Sequence, residues 1–131
     1  MKIRELTVFL ENKLGRFAEV ARILKKEDIN LLGFSAAEAR DDGILRLVVS
    51  DPEKARNALK KSGFTTHAAD AICVGVEDKP GELLEILNTL TEEKINVEYI
   101  YVIAGTRVVL SVADIEKAEK ILKEKGFGRC L

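Results

Sequence analysis

Reactive side chains are scarce in this sequence. Of 131 residues, one is histidine (His67) and two are cysteine (Cys73 and Cys130). The cysteines stand 57 positions apart, with neither His nor Cys beside them at ligand spacing, which argues against a zinc site and against a disulfide framework. Cys73 reads as a small sheet residue, Cys130 as a near-terminal one, and His67 as a surface residue in a connection. Metal catalysis and Cys–His nucleophilic chemistry fall away, so the expectation is no catalytic residue, no metal and no cofactor. An excess of either charge is also missing: 21 Lys and Arg face 22 Asp and Glu, and the bases are scattered along helical stretches. Without a basic stripe there is no footprint for a phosphate backbone, and nucleic acid is excluded as a partner. No apolar run approaches the ~20 residues of a membrane helix. The opening Met1-Lys2-Ile3-Arg4-Glu5 lacks the apolar core of a signal peptide, so a cytoplasmic location is expected. What remains is a globular composition, 47% hydrophobic and 33% charged.

The chain repeats itself. Shifted by 66 positions, Leu6–Ser35 falls on Ile72–Tyr101, with Val8 on Val74, Glu11 on Glu77, Lys13 on Lys79, Gly15 on Gly81, Glu19 on Glu85, Leu24 on Leu90 and Ile29-Asn30 on Ile95-Asn96. Further along the offset is 63: Asp51 meets Asp114, and Gly63-Phe64 meets Gly126-Phe127. The difference falls where Ala39–Gly43 faces the shorter Ala104–Thr106, a place for a turn. Two units are expected, 1–70 and 71–131.

Within a unit the periodicity changes from element to element. Leu6, Val8 and Leu10 alternate as in a strand, and Phe17, Val20, Ala21, Ile23 and Leu24 recur as on one face of a helix. Ile29–Ala39 and Ile44–Ser50 read as strands around a turn ending in Asp42-Gly43. Asp51-Pro52-Glu53 opens a second helix with a cap and a first-position proline, and Ser62-Gly63 ends it. Thr65–Ala69 reads as a fourth strand. The second unit follows with strand Ala71–Glu77, helix Pro80–Glu93, strands Asn96–Ile103 and Arg107–Val112, helix Asp114–Lys125 and a last strand within Phe127–Leu131. The fold class is α+β: βαββαβ twice, antiparallel sheets with helices on one face.

At Glu11-Asn12-Lys13-Leu14-Gly15-Arg16-Phe17 followed by helix and Asp28-Ile29-Asn30-Leu31, and again at Val76-Glu77-Asp78-Lys79-Pro80-Gly81-Glu82-Leu83 with Lys94-Ile95-Asn96-Val97, the chain resembles ACT domains, arranged as a stand-alone tandem. The resemblance covers essentially the whole chain. It implies two ferredoxin-like units and a non-catalytic regulatory protein that binds a small ligand, most often an amino acid, at ACT–ACT interfaces. The ligand loops carried over are Asn12, Lys13, Leu14, Gly15 and Arg16, and Asp78, Lys79, Pro80, Gly81 and Glu82. Leu14 replaces the usual proline, and Asp78 stands where asparagine is common. Second strands of a partner unit would form the opposite wall, through Phe34 and Ser35 and through Tyr99, Ile100 and Tyr101, which suits an apolar or aromatic amino acid. Each four-stranded sheet has two edges and one bare face, so a homodimer is expected to cover what the two units leave open, and a regulatory role implies a client enzyme.

The loop chemistry fits that implication. A glycine at a helix start leaves backbone N–H groups open to a carboxylate, and Asn12 can serve both ends of a zwitterion. Other readings stay open: Gly15 and Gly81 as plain turns, Asn12 and Asp78 as helix caps, Tyr99 and Tyr101 as interface packing. The alternative function is a ligand-free interaction module or the regulatory subunit of an amino-acid-pathway enzyme. An enzyme on the same fold would need a glycine-rich loop around Arg16 and an asparagine in the third strand, and both are missing.

Overall fold

The computed structural model of the chain describes residues 1–39 and 41–130. Its elements run β1 (Lys2–Glu11), α1 (Arg16–Lys26), β2 (Leu31–Ala39), β3 (Asp42–Val49), α2 (Pro52–Lys61), β4 (Thr65–Gly75), α3 (Glu82–Glu92), β5 (Val97–Ile103), β6 (Arg107–Val112), α4 (Ile115–Glu124) and β7 (Gly128–Arg129). The order is βαββαβ written twice. The chain divides into two compact units, Arg4–Ala69 and Met1–Ile3 with Asp70–Leu131, here the first and second units.

In the first unit β3 pairs antiparallel with β1 (Leu6↔Leu47, Glu11↔Asp42) and with β2 (Phe34↔Leu47, Glu38↔Gly43). Strand alternation then sends Leu6, Val8, Leu10, Leu45, Leu47 and Val49 to one face, where Val20 and Leu24 of α1 and Ala55 and Leu59 of α2 cover them. In the second unit β6 pairs with β4 and β5 in the same way, and Ile72, Val74, Val108, Leu110 and Val112 meet Ile86, Leu90, Ala118 and Leu122. Both outer strands carry a register shift at the same repeat position, between Leu31 and Gly33 and between Val97 and Tyr99. Past that bulge Phe34 and Ile100 turn to the helix side, and Ser35, Tyr99 and Tyr101 to the opposite face.

Among the described residues the four helices end alike. The N–H groups of Ile29, Phe64, Ile95 and Phe127 donate to the carbonyls of Leu24, Leu59, Leu90 and Leu122, and the preceding residue is left-handed. In α2 and α4 that residue is Gly63 or Gly126, but in α1 and α3 it is Asp28 (φ 57) and Lys94 (φ 59). The sequence alone does not reveal those two ends, because the usual glycine is missing.

Three expectations are corrected. The fourth strand of the first unit and the first strand of the second are one strand, β4, because no glycine or proline interrupts Thr65–Val74. His67 therefore sits in that strand, exposed, rather than in a connection. Asp42 and Gly43 belong to β3: the ladder continues to Ala39↔Asp42, so the hairpin closes earlier than the Asp-Gly pair signals. Arg40 of that expected turn, and Leu131 of the expected last strand, lie outside the described residues. Cys73 and Cys130 are not two isolated residues but a disulfide, with Cα atoms 5.0 Å apart. The 57 positions between them conceal that β7 lies beside β4, through Val74↔Arg129 and Gly75↔Gly128. Among the described residues no helix is long and apolar enough to cross a membrane.

Two outcomes follow for stability. Asp28→Gly and Lys94→Gly should each raise the urea midpoint, since relief of left-handed strain (~1–2 kcal/mol) outweighs the extra entropy of an unfolded glycine (~0.4–1 kcal/mol). A lower midpoint at unchanged slope would show that these side chains stabilise their turns by more than the strain. Cys130→Ala should remove about 2–4 kcal/mol, because the cross-link restricts a long loop of the unfolded chain; unfolding of the oxidised protein and the variant side by side measures it.

Candidate functional site

The helix starts differ in a way that the repeat makes visible. At α2 and α4 an aspartate closes the end: the Asp51 and Asp114 carboxylates accept from the N–H groups of Lys54 (3.2 Å) and Lys117 (3.1 Å). At α1 and α3 the cap residue is glycine, Gly15 (φ 82) and Gly81 (φ 92), and no side chain caps either end. Asn12 and Asp78 are thus not the caps of their helices. A left-handed backbone demands glycine here, while a Cβ at either position would meet no protein atom within 4 Å. Donor N–H groups and the positive end of the helix dipole are left unsatisfied by side chains at just these two places.

In the first unit the loop borders a cavity of about 190 Å³. Asn12, Lys13, Arg16 and Phe17 form one side, and Ala36–Glu38 of β2 with Asp42 and Gly43 of β3 form the other. Phe17 is shared with a second cavity of about 270 Å³, whose walls are almost wholly apolar and include Leu24, Leu31, Phe34 and Leu47. Both volumes fall below the ~300–1,000 Å³ of pockets for drug-sized molecules, and so suit a small metabolite.

Charges inside the loop largely satisfy one another. Lys13 Nζ lies 2.7 Å from Glu11. The Arg16 guanidinium bonds Glu19 at 2.9 Å, reaches Glu11 at 3.5 Å and stacks over Phe64, 5.3 Å from the ring centroid. The Lys13 ammonium, through its hydrogen bond and charge, holds the Glu11 carboxyl below its ordinary range, with help from Arg16. The Glu19 hydrogen bond raises the Arg16 pKa despite partial desolvation. Arg16 is therefore a pin that fixes the loop to α1 and Phe64. Among the described residues, no ion pair engages Glu38 or Asp42 across the cavity.

The second loop is built from other charges. Lys79 lies between Glu77 (3.0 Å) and Glu82 (3.3 Å), and those hydrogen bonds, the Glu77 one first, raise its pKa. Where α1 begins with Arg16, α3 begins with Glu82, and Glu85 adds a second carboxylate to its first turn.

The remaining sequence-predicted residues are dispersed. Leu14 is fully exposed at the loop tip and, like Gly15, does not line the 190 Å³ cavity. Phe34 lines the apolar cavity, and Ser35 lies on the other face of the sheet. Tyr99 and Tyr101 stack on that opposite face of the second unit, ring centroids 6.4 Å apart, while Ile100 is on the helix side. Sequence reasoning missed Ala36–Glu38 and Asp42; the signal was the hairpin register, which sets Asp42 opposite Glu11.

The model of the ACT domain pair matches residues 1–128. The chain belongs to the ACT domain pair family. This ACT pair is similar to the crystal structure of protein BT0572 from Bacteroides thetaiotaomicron: 40% identity, TM-score 0.92, covering 98% of this chain and 91% of that one. At the level of fold it is also similar to the regulatory subunits of aspartate kinase from Thermus thermophilus, in its ligand-free form (16% identity, TM-score 0.70, 92% and 88% covered), and from Thermus flavus (15%, 0.69, 94% and 92%). No curated protein matches the chain.

The electrostatics of the first loop can be checked directly. A lowered folded-state pKa means Glu11 holds its proton less readily folded than unfolded. Its contribution to stability is therefore full above the unfolded value of ~4.3 and is lost as pH falls through the folded one. Carboxyl NMR should place the Glu11 midpoint below the ordinary glutamate value, and Lys13→Met should move it upward. A midpoint that ignores Lys13 would remove the ion pair from the account.

Proposed function

We propose that this ACT pair is a non-catalytic, cytoplasmic regulatory protein that binds an amino acid at the first loop and passes its bound state to a client enzyme. The observation that carries the reading is the uncapped start of α1 beside a small cavity, in a chain of this family. The ligand carboxylate would take the N–H groups of the first turn beyond Arg16, whose own N–H donates to the Lys13 carbonyl, because the Lys13 and Arg16 side chains are already engaged. Its ammonium would face Asn12, Glu38 and Asp42, and an apolar or aromatic side chain would reach past Phe17 toward Phe34. The first loop is favoured over the second because α1 begins with Arg16 where α3 begins with Glu82, whose negative charge at the positive helix end disfavours a ligand carboxylate.

A second copy of the chain would complete the site, making the ACT–ACT interface. Among the described strands β2 pairs only with β3 and β5 only with β6, so each has an open edge. Phe34, Ile100 and Val102 beside those edges are 58%, 39% and 57% exposed, as expected of surfaces awaiting a partner strand.

A thermal-shift screen of dialysed protein against the common amino acids tests this. A ligand at a hundred times its Kd adds about 2.7 kcal/mol, a shift of a few degrees. Gly15→Val should abolish that shift, and Gly81→Val should leave it. A flat screen, repeated by equilibrium dialysis, would overturn the ligand reading and leave the interaction module in its place.

A further inference from the structure

We propose that the Cys73–Cys130 disulfide is a reversible thiol–disulfide exchange site for a small thiol, and that its state decides whether β7 stays on the edge of β4. The proposal stands apart from the ligand reading and rests on the anatomy of the strand that the bond holds. β7 comprises Gly128 and Arg129 alone, paired with Gly75 and Val74. Fixing each residue's backbone takes ~1–2 kcal/mol, while a hydrogen bond returns a net ~0.5–1.5 kcal/mol, so two rungs do not hold a strand by themselves. Phe127, anchored to the end of α4 and packed against the core, fixes one side of the segment. The covalent bond at Cys130 fixes the other.

The two cysteines are both buried but sit in or beside elements of unequal strength. Cys73 is fully buried in β4, its N–H donating to the Met1 carbonyl at 2.7 Å, whereas Cys130 follows the short strand and retains slight exposure. Fraying of β7 opens the bond from the Cys130 side. An external thiolate then attacks Cys130 Sγ, forming a mixed disulfide and expelling Cys73 as a thiolate, which takes a proton from water. A second thiolate attacks the external sulfur of the mixed disulfide, releasing the small-molecule disulfide and the Cys130 thiolate. The reverse sequence, with a small-molecule disulfide as oxidant, closes the bond again. Reduction frees β7, exposes the β4 edge at Val74–Gly75, and loosens the strand that leads through Val76 and Glu77 into the Asp78–Glu82 loop.

The test uses the full chain, folded, equilibrated in glutathione buffers from fully oxidised to fully reduced. Alkylation and mass spectrometry count thiols, and hydrogen exchange reports the facing amides of Gly75 and Gly128. A reversible transition from zero to two thiols is expected, with exchange at those amides rising at least about tenfold while the β5–β6 ladder stays protected. Cys130→Ser should show the fast exchange in every buffer; if it fails to fold, the reduced natural protein supplies the same comparison. Zero thiols in the most reducing buffer, two thiols in every buffer, or reduction without faster exchange at β7 would each overturn the proposal.

Discussion

Each unit depends on burial of the sheet face that lies beneath its two helices. The alternation of Leu6, Val8 and Leu10, matched by Leu45, Leu47 and Val49, leaves one register that keeps these side chains from water. A slip by one residue would exchange them for Thr7, Phe9 and Arg46, at ~1.5–3 kcal/mol for each large apolar side chain exposed. The register thereby fixed is what brings Asp42 opposite Glu11 and Glu38 beside Gly43. The walls of the candidate site are thus a by-product of core packing, and the site inherits the rigidity of the core.

On this frame the two repeats diverge where packing does not constrain them. The helix ends that need closing are closed in one of two ways: by Asp51 and Asp114 on α2 and α4, or left open behind Gly15 and Gly81 on α1 and α3. Charges then separate the open pair. Arg16 is drawn away from the first helix start by Glu11, Glu19 and Phe64, whereas Glu82 remains at the second and is held there by Lys79. One duplicated scaffold carries a start suited to an anion and another that supplies its own.

The βαββαβ order, the helix faces and both glycine loops were legible because burial imposes periods of 2 and 3.6 residues that a sequence displays. The loop residues Asn12, Lys13 and Arg16 were found through the repeat, since equivalent positions in two copies reinforce a weak local signal. Illegible features depend on partners distant along the chain. Ala36–Glu38 carry no chemistry that marks a wall until the hairpin register is known. The bulge at Leu32 looks like ordinary apolar sequence, yet it decides that Phe34 faces the helices and Ser35 does not. The left-handed Asp28 and Lys94 are imposed by the fold against local preference.

The sequence by itself determined the duplication, the βαββαβ order, the family resemblance and the glycine at two helix starts, all of which are local or repeated and so need no knowledge of which segments meet. Tertiary structure alone decided that Asp42 faces Glu11, that Arg16 stacks over Phe64, and that Cys73 and Cys130 are joined. Each of those is a contact set by sheet order or by helix packing. Residues such as Arg16 and Phe64, far apart in the chain, become neighbours only when their shared core closes between them.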